Sequence, residues 1–275
     1  MANFIIYQKK DTWIHQLSGV TKLIFFLVWS IVAMVTYDTR VLFGMCAFSI
    51  LIFAMSKTSW KQVSTVVSMI AFFLVMNVLA IFLFSPYQGV KIYGTRTDLF
   101  HIIGSYTLTK EQLFYEFNVI LKYFTVIPAV LMFIVATNPS EFAASLNKIG
   151  ISYSVAYAVA IALRYIPDVQ EDFQEIKTAQ QARGIDMSNK EKLSVRIKKI
   201  LVIIFPLIFS SMDRIEVVSN AMELRGFGKN YRRTWYTGKK MRLNDYLSII
   251  FVAGFAILAI YVTFQNGSRF YNPFQ

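Results

Sequence analysis

The stretch VSTVVSMIAFFLVMNVLAIFLFS, Val63–Ser85, runs for 23 residues without a charge. An α-helix rises about 1.5 Å per residue, so this stretch reaches across a hydrocarbon core roughly 30 Å thick. Other runs repeat the message. Tyr246–Phe264 gives 19 uncharged residues, and Tyr123–Ser140 gives 18 with Pro128 inside; proline is tolerated in membrane helices. Leu23–Tyr37 and Val41–Met55, 15 residues each, flank Asp38-Thr39-Arg40 and read as a tight hairpin of two spans.

Composition agrees with a membrane protein. Of 275 residues, 56% are hydrophobic and 16% charged, and Phe occurs 25 times. A soluble domain carries roughly 25% charged residues. The first twenty residues hold Lys9, Lys10, Asp11 and His15 and lack a continuous apolar run, so the first hydrophobic segment is expected to be retained. The single cysteine, Cys46, lies inside a span and can form no intrachain disulfide.

The charge is uneven. Between Asn138 and Asn244 stand 17 Lys/Arg and 10 Asp/Glu, within a net charge of +12. Cytoplasmic loops collect Lys and Arg, so this segment is expected inside. With five spans the N-terminus is also inside and 22 of the 28 Lys/Arg are cytoplasmic; with six it is outside and 21 are, so charge barely separates the two. Anionic headgroups and topology account for the basic balance without nucleic acid. Ile149–Leu163 reads either as a sixth span or as a helix along the membrane; Gly150, Ser152 and Ser154 favour the second. The expected fold is all-α, an integral membrane protein of about five transmembrane helices plus long cytoplasmic amphipathic helices. Residues 1–137 hold about four spans and a loop at 86–117, to which no function is assigned. Residues 138–244 form the cytoplasmic region, and residues 245–275 hold the last span and tail.

Two stretches of the cytoplasmic region share their punctuation. Pro167 is expected to open one helix and Gly184 to close it; Pro206 opens and Gly226 closes a second. Val169, Phe173, Ile176 and Gln180 fall on one face of the first, and Ile208, Met212, Ile215, Ser219 and Met222 on the inner face of the second. Asp168, Glu171 and Asp172 suit a first turn, and Arg183 a last turn. The endings match: Ala179-Gln-Gln-Ala182-Arg183-Gly184-Ile185 against Ala221-Met-Glu223-Leu224-Arg225-Gly226-Phe227, 42 residues apart. Read alone, these are two ordinary helix ends. Read as a pair, they are two equivalent guanidinium tips, each suited to bidentate bonds with a carboxylate, that fit two similar pockets.

These paired motifs before a final span resemble the signature of energy-coupling factor (ECF) transporter T components, the EcfT and CbiQ-like family. The resemblance covers nearly the whole chain. Trp13-Ile-His-Gln-Leu17 with Lys22-Leu23, Thr107-Leu-Thr-Lys-Glu-Gln-Leu113 and Ala162-Leu-Arg164-Tyr-Ile-Pro167 are similar to other segments of that family. Leu224 departs from the pattern, which has a small residue there; the resemblance then implies a wider groove for the second tip. It further implies a bacterial plasma-membrane, non-catalytic subunit of an ABC importer for a vitamin or a metal ion. Ala182-Arg183-Gly184 and Leu224-Arg225-Gly226 would dock two cytoplasmic ATPases, a homodimer or heterodimer of similar chains. Glu223 would orient Arg225 or stand as a solvated charge. A separate membrane-embedded substrate-binding S component would be held alongside. This chain would carry no cofactor, ATP being bound by the ATPases. Met187, Met212, Met222, Phe205, Phe209 and Phe227 offer an adaptable apolar surface, or simply buried packing.

Other chemistries lack their residues. There is no Gly-x-x-x-x-Gly-Lys-Ser/Thr and no His-Glu-x-x-His, and His15 and His101 are 86 residues apart. A stand-alone secondary transporter, the alternative reading, calls for intramembrane ionisable groups or inverted repeats of broken helices. A lipid-modifying enzyme calls for a cluster of His, Asp or Glu at the membrane face. Only Asp168, Glu171, Asp172 and Glu175 come near it, at the spacing of a polar helix face.

Overall fold

The computed structural model describes residues 12–103, 106–185, 193–229, 234–236, 238–265 and 267–274. In chain order the elements are α1 (Trp13–Gln16), α2 (Gly19–Val35), α3 (Thr39–Met55), α4 (Trp60–Phe84), α5 (Gln88–Tyr93), β1 (Asp98–Ile103), β2 (Tyr106–Thr109), α6 (Lys110–Ala136), α7 (Pro139–Lys148), α8 (Tyr153–Ala182), α9 (Leu193–Leu224) and α10 (Leu243–Phe264). They form two compact units, Met1–Asn138 with Lys239–Gln275, and Pro139–Gly238.

In the first unit three helices are long and apolar enough to cross a membrane: Val63–Phe84, Lys110–Ala136 and Leu243–Phe264. Gly19–Val35 and Thr39–Met55 are shorter apolar helices. α3 packs along α6, and α2 against α6 and α10. At the centre lies Trp29, 1% exposed, among Phe25, Phe48 and Phe255. Its indole N–H donates to Ser49 Oγ at 2.7 Å. Ala33, Ala129, Ala136, Ala256 and Ala259 are buried beside it. Such small residues let membrane helices approach closely, because apolar lipid supplies no hydrophobic drive for association.

Several polar groups buried inside this unit pair with one another, as a medium without water favours. One Asp245 carboxylate oxygen accepts from the Ser18 backbone N–H at 2.7 Å and from Thr21 Oγ1 at 2.8 Å, the other from the Arg242 N–H at 2.8 Å. Lys22, 2% exposed, donates to the Ala136 carbonyl at 2.8 Å. At the opposite end the Thr36 and Thr263 hydroxyls share a bond of 2.6 Å.

The 86–117 segment is not a plain loop. It holds α5, an antiparallel hairpin of β1 and β2 with Phe100 opposite Leu108 and His101 opposite Thr107, and the start of α6. The fold is therefore predominantly helical rather than all-α, and α6 begins thirteen residues before Tyr123. Thr97 ties the hairpin to that helix, donating its N–H and hydroxyl to Glu111 at 3.1 and 3.0 Å. The tail returns to the same end. The Tyr37 N–H donates to the Arg269 carbonyl at 3.0 Å, and Asn272 Nδ2 to the Tyr93 carbonyl at 3.1 Å. Burial pushes the Tyr93 phenol up to about 12, so it remains neutral.

Candidate functional site

The second unit carries the twin motifs. α8 starts at Tyr153, with the Ser152 side chain as N-cap, and continues through Pro167 to Ala182. α9 likewise continues through Pro206. Neither proline opens a helix. A mid-helix proline removes one i→i−4 bond and crowds the preceding turn, and a long helix can bend around it. Asp168, Glu171 and Asp172 are consequently mid-helix and gain nothing from a helix dipole. Two of them face Arg214 on α9 instead: Asp172 at 2.8 Å and Asp168 at 3.9 Å.

Both helix ends take the expected form, and they take the same form. In the first, the Arg183 N–H reaches the Ala179 carbonyl at 3.2 Å, Gly184 the Gln181 carbonyl at 3.0 Å, and Ile185 the Gln180 carbonyl at 3.1 Å. In the second, Arg225 reaches Ala221 at 3.2 Å, Gly226 reaches Glu223 at 2.8 Å, and Phe227 reaches Met222 at 2.9 Å. Each is a Schellman cap, with glycine in the left-handed region at φ +85° and +69°. Each arginine therefore sits at the same cap position, where the chain turns off the helix. Ala182, Arg183, Glu223, Leu224 and Arg225 are exposed, Leu224 at 90%. Among the described residues neither guanidinium has a hydrogen bond or ion pair with another side chain.

α8 and α9 run antiparallel: Tyr157 near the start of α8 packs against Phe227 beyond the end of α9 (centroids 4.8 Å apart), and Asp172 meets Arg214 further along. Asp172 and Arg214 each stand eleven residues before their helix's terminal arginine. At about 1.5 Å per residue each tip lies roughly 16 Å beyond that crossing, on opposite sides, so the two are separated by on the order of 30 Å.

Sequence periodicity misses part of this arrangement. The packed stripe of α9 is Leu207, Ser211, Arg214, Val218 and Met222. Of the face expected to be inward, Met222 belongs to this stripe and Ser219 borders the groove between the helices, whereas Ile208, Met212 and Ile215 stand at 47%, 59% and 67% exposure. Phe205 and Phe209 are exposed with them. Phe227 is not free surface, since it packs on Tyr153 and Tyr157; Met187 lies outside the described residues. On α8, Gln180 of the expected face is buried, Phe173 and Ile176 are half-buried, and Val169 borders a groove of about 420 Å³ between the two helices. Trp235 completes the support of the second tip. Its ring packs against Tyr153, tilted, with centroids 5.4 Å apart, and it donates its indole N–H to Asn147 Oδ1 at 3.2 Å. The i, i+4 pair Tyr153–Tyr157 was a legible helix-face signal; its partner Trp235 was not.

Known proteins resemble the chain over most of its length. The family model described as cobalt transport protein, CbiQ, matches residues 10–236. Among curated proteins, the chain is similar to the energy-coupling factor transporter transmembrane protein EcfT of Leuconostoc gelidum, with 25% identity over 90% of this chain and 92% of that one. It is similar to EcfT of Streptococcus thermophilus at 26% identity, covering 92% and 95% of the two chains. EcfT of Thermotoga maritima is 25% identical over 93% and 92%.

Proposed function

The chain belongs to the CbiQ family, and from that premise we propose that it is the transmembrane coupling subunit of an ECF-type importer for a vitamin or a metal ion. It is a multi-pass membrane protein and a non-catalytic subunit; ATP binding and hydrolysis fall to partner ATPases. Two cytoplasmic ABC ATPases engage the tips, one at Ala182-Arg183-Gly184 and one at Leu224-Arg225-Gly226. A membrane-embedded S component rests on the apolar surface that α8 and α9 leave uncovered. Closure of the ATPase pair draws the tips together, and the paired helices pass that displacement to the S component as a two-state element. In this reading the chain crosses the membrane five times, with residues 138–244 and the N-terminus inside.

The observation that carries the reading is the pair of Schellman caps with the same hydrogen-bond pattern, each presenting an arginine without a side-chain partner among the described residues. A solvated helix end needs no such duplication, whereas docking two similar ATPases does. Glu223 supplies the carbonyl that accepts from Gly226, and its side chain is exposed beside Arg225. Co-purification tests the assignment. Wild type is expressed with the ATPase pair beside a double variant, Arg183→Glu with Arg225→Glu. Loss of both ATPases from the double variant is the expected result. Retention of the ATPases would move the anchors elsewhere, and transport by this chain alone would refute the coupling role.

A further inference from the structure

At one end of the first unit a groove of about 320 Å³ lies among α1, α2, α3, α6 and α10. Its floor is Phe25, Met132 and Val252, each under 9% exposed, and its open rim is Leu51, Met55 and Phe251, each about half exposed. The walls are almost wholly apolar. Water has no partners to offer there, and a hydrocarbon does. Trp13 and Trp60, 49% and 64% exposed, stand at the same end, and tryptophan marks headgroup depth in membrane proteins.

The chain segments that meet at that end are rich in cations. Among the described residues of the first unit they carry Lys22, Lys57, Lys61, Lys239, Lys240 and Arg242 against a single carboxylate, Asp245. Asp245 is already bound by the Ser18 N–H, Thr21 and the Arg242 N–H. Lys57 follows the rim residue Met55 by two positions, and Lys239 reaches the His15 carbonyl beside the groove at 3.2 Å. Lys57 and Lys240 are exposed. An apolar slot at headgroup depth with cations at its mouth matches a molecule with an acyl chain below and a negative charge above.

We propose that this groove is a binding site for an anionic phospholipid, one acyl chain lying on Phe25, Met132 and Val252 and the phosphate held by the lysines at the rim. On the topology proposed above it draws from the cytoplasmic leaflet. Only the leaflet rests on that reading; the binding does not.

The test is native mass spectrometry of the delipidated full chain, titrated with dioleoyl phosphatidylglycerol or dioleoyl phosphatidylcholine. Ser248 lines the groove and, among the described residues, donates to the Asn244 carbonyl of its own helix at 2.8 Å, so Ser248→Trp fills the slot without breaking a tertiary bond there. Wild type should retain phosphatidylglycerol at least about fivefold better than phosphatidylcholine, and the preference should shrink with salt. Ser248→Trp should lose the bound lipid. Lys57→Glu with Lys240→Glu, both at exposed positions, should keep the fold and lose the preference. Equal retention of the two lipids by wild type overturns the proposal. So does unchanged retention by a folded Ser248→Trp. If Ser248→Trp does not fold, the charge variant decides alone, and a preference that survives it overturns the site. The ATPase co-purification is independent of each result.

Discussion

Gly89 donates its backbone N–H to Gln112 Oε1 at 2.9 Å, and a Cβ built on it would overlap the Glu111 carbonyl of α6. Gly184 meets nothing within 4 Å at the same imagined atom, but its φ is +85°. The first glycine is required for close approach, the second for conformation. Their alanine variants should accordingly differ. Gly89→Ala forces α5 off α6 and should cost about 1–3 kcal/mol, the usual range for overpacking, read as a clear fall in apparent melting temperature. Gly184→Ala should cost a similar amount, about 1–2 kcal/mol, and also weaken ATPase capture, because the turn that presents Arg183 is altered, whereas Gly89→Ala should leave capture unchanged. Equal ATPase capture by the two folded variants would contradict the distinction. Of these residues the sequence shows only Gly184, whose role follows from its local pattern. Gly89, Glu111 and Asp245 act through neighbours distant in the chain, and no local pattern announces a contact of that kind.

Among whole elements the same division holds. The five apolar runs are each found as helices, because length and absence of charge are enough to mark them. The ends of α8 and α9 are legible because glycine caps are local. Their starts are not: Pro167 and Pro206 look like first-turn residues, yet each lies within a helix of 30 or more residues held by its packing. The ion pair across these helices has a testable part in the coupling. Arg214 and Asp172 are partly exposed, at 37% and 23% of their side chains, so the bond contributes no more than about 1 kcal/mol to stability. Its value is in register. Arg214→Asp should leave the chain folded, since the acids around Asp172 can turn to solvent, yet reduce ATP-driven uptake several-fold. Adding Asp172→Arg should restore much of it. Uptake unaffected by the first change, or not recovered by the second, would show that α8 and α9 keep register by packing alone.

For the whole molecule, the tail constrains the topology. Tyr37 lies between α2 and α3, Tyr93 between α4 and α6, and residues 268–274 follow α10. The tail touches both, through the Arg269 carbonyl and through Asn272, so all three lie at one end of the first unit. From Tyr93 to the tail the chain crosses with α6 and α10, which already returns it to the same side. Crossings contributed by residues 139–238 must then be even in number. A single extra span at Ile149–Leu163 would carry the tail to the opposite side from Tyr93, so the contact supports five spans. In this arrangement Arg96 is outside and Tyr236 inside, whereas a sixth span at Ile149–Leu163 places both inside. Cys46 is buried at 8% exposure and is replaced by Ser to leave a silent background. Arg96 is 53% exposed at its side chain and Tyr236 fully exposed, so each accepts a cysteine probe. A membrane-impermeant maleimide applied to intact cells should label Arg96→Cys and spare Tyr236→Cys, which should react only after lysis. Protection of both in intact cells would favour six spans and would mean that the tail and Tyr93 cannot meet. Labelling of both would place the arginine tips outside, where no ATP-driven partner could reach them.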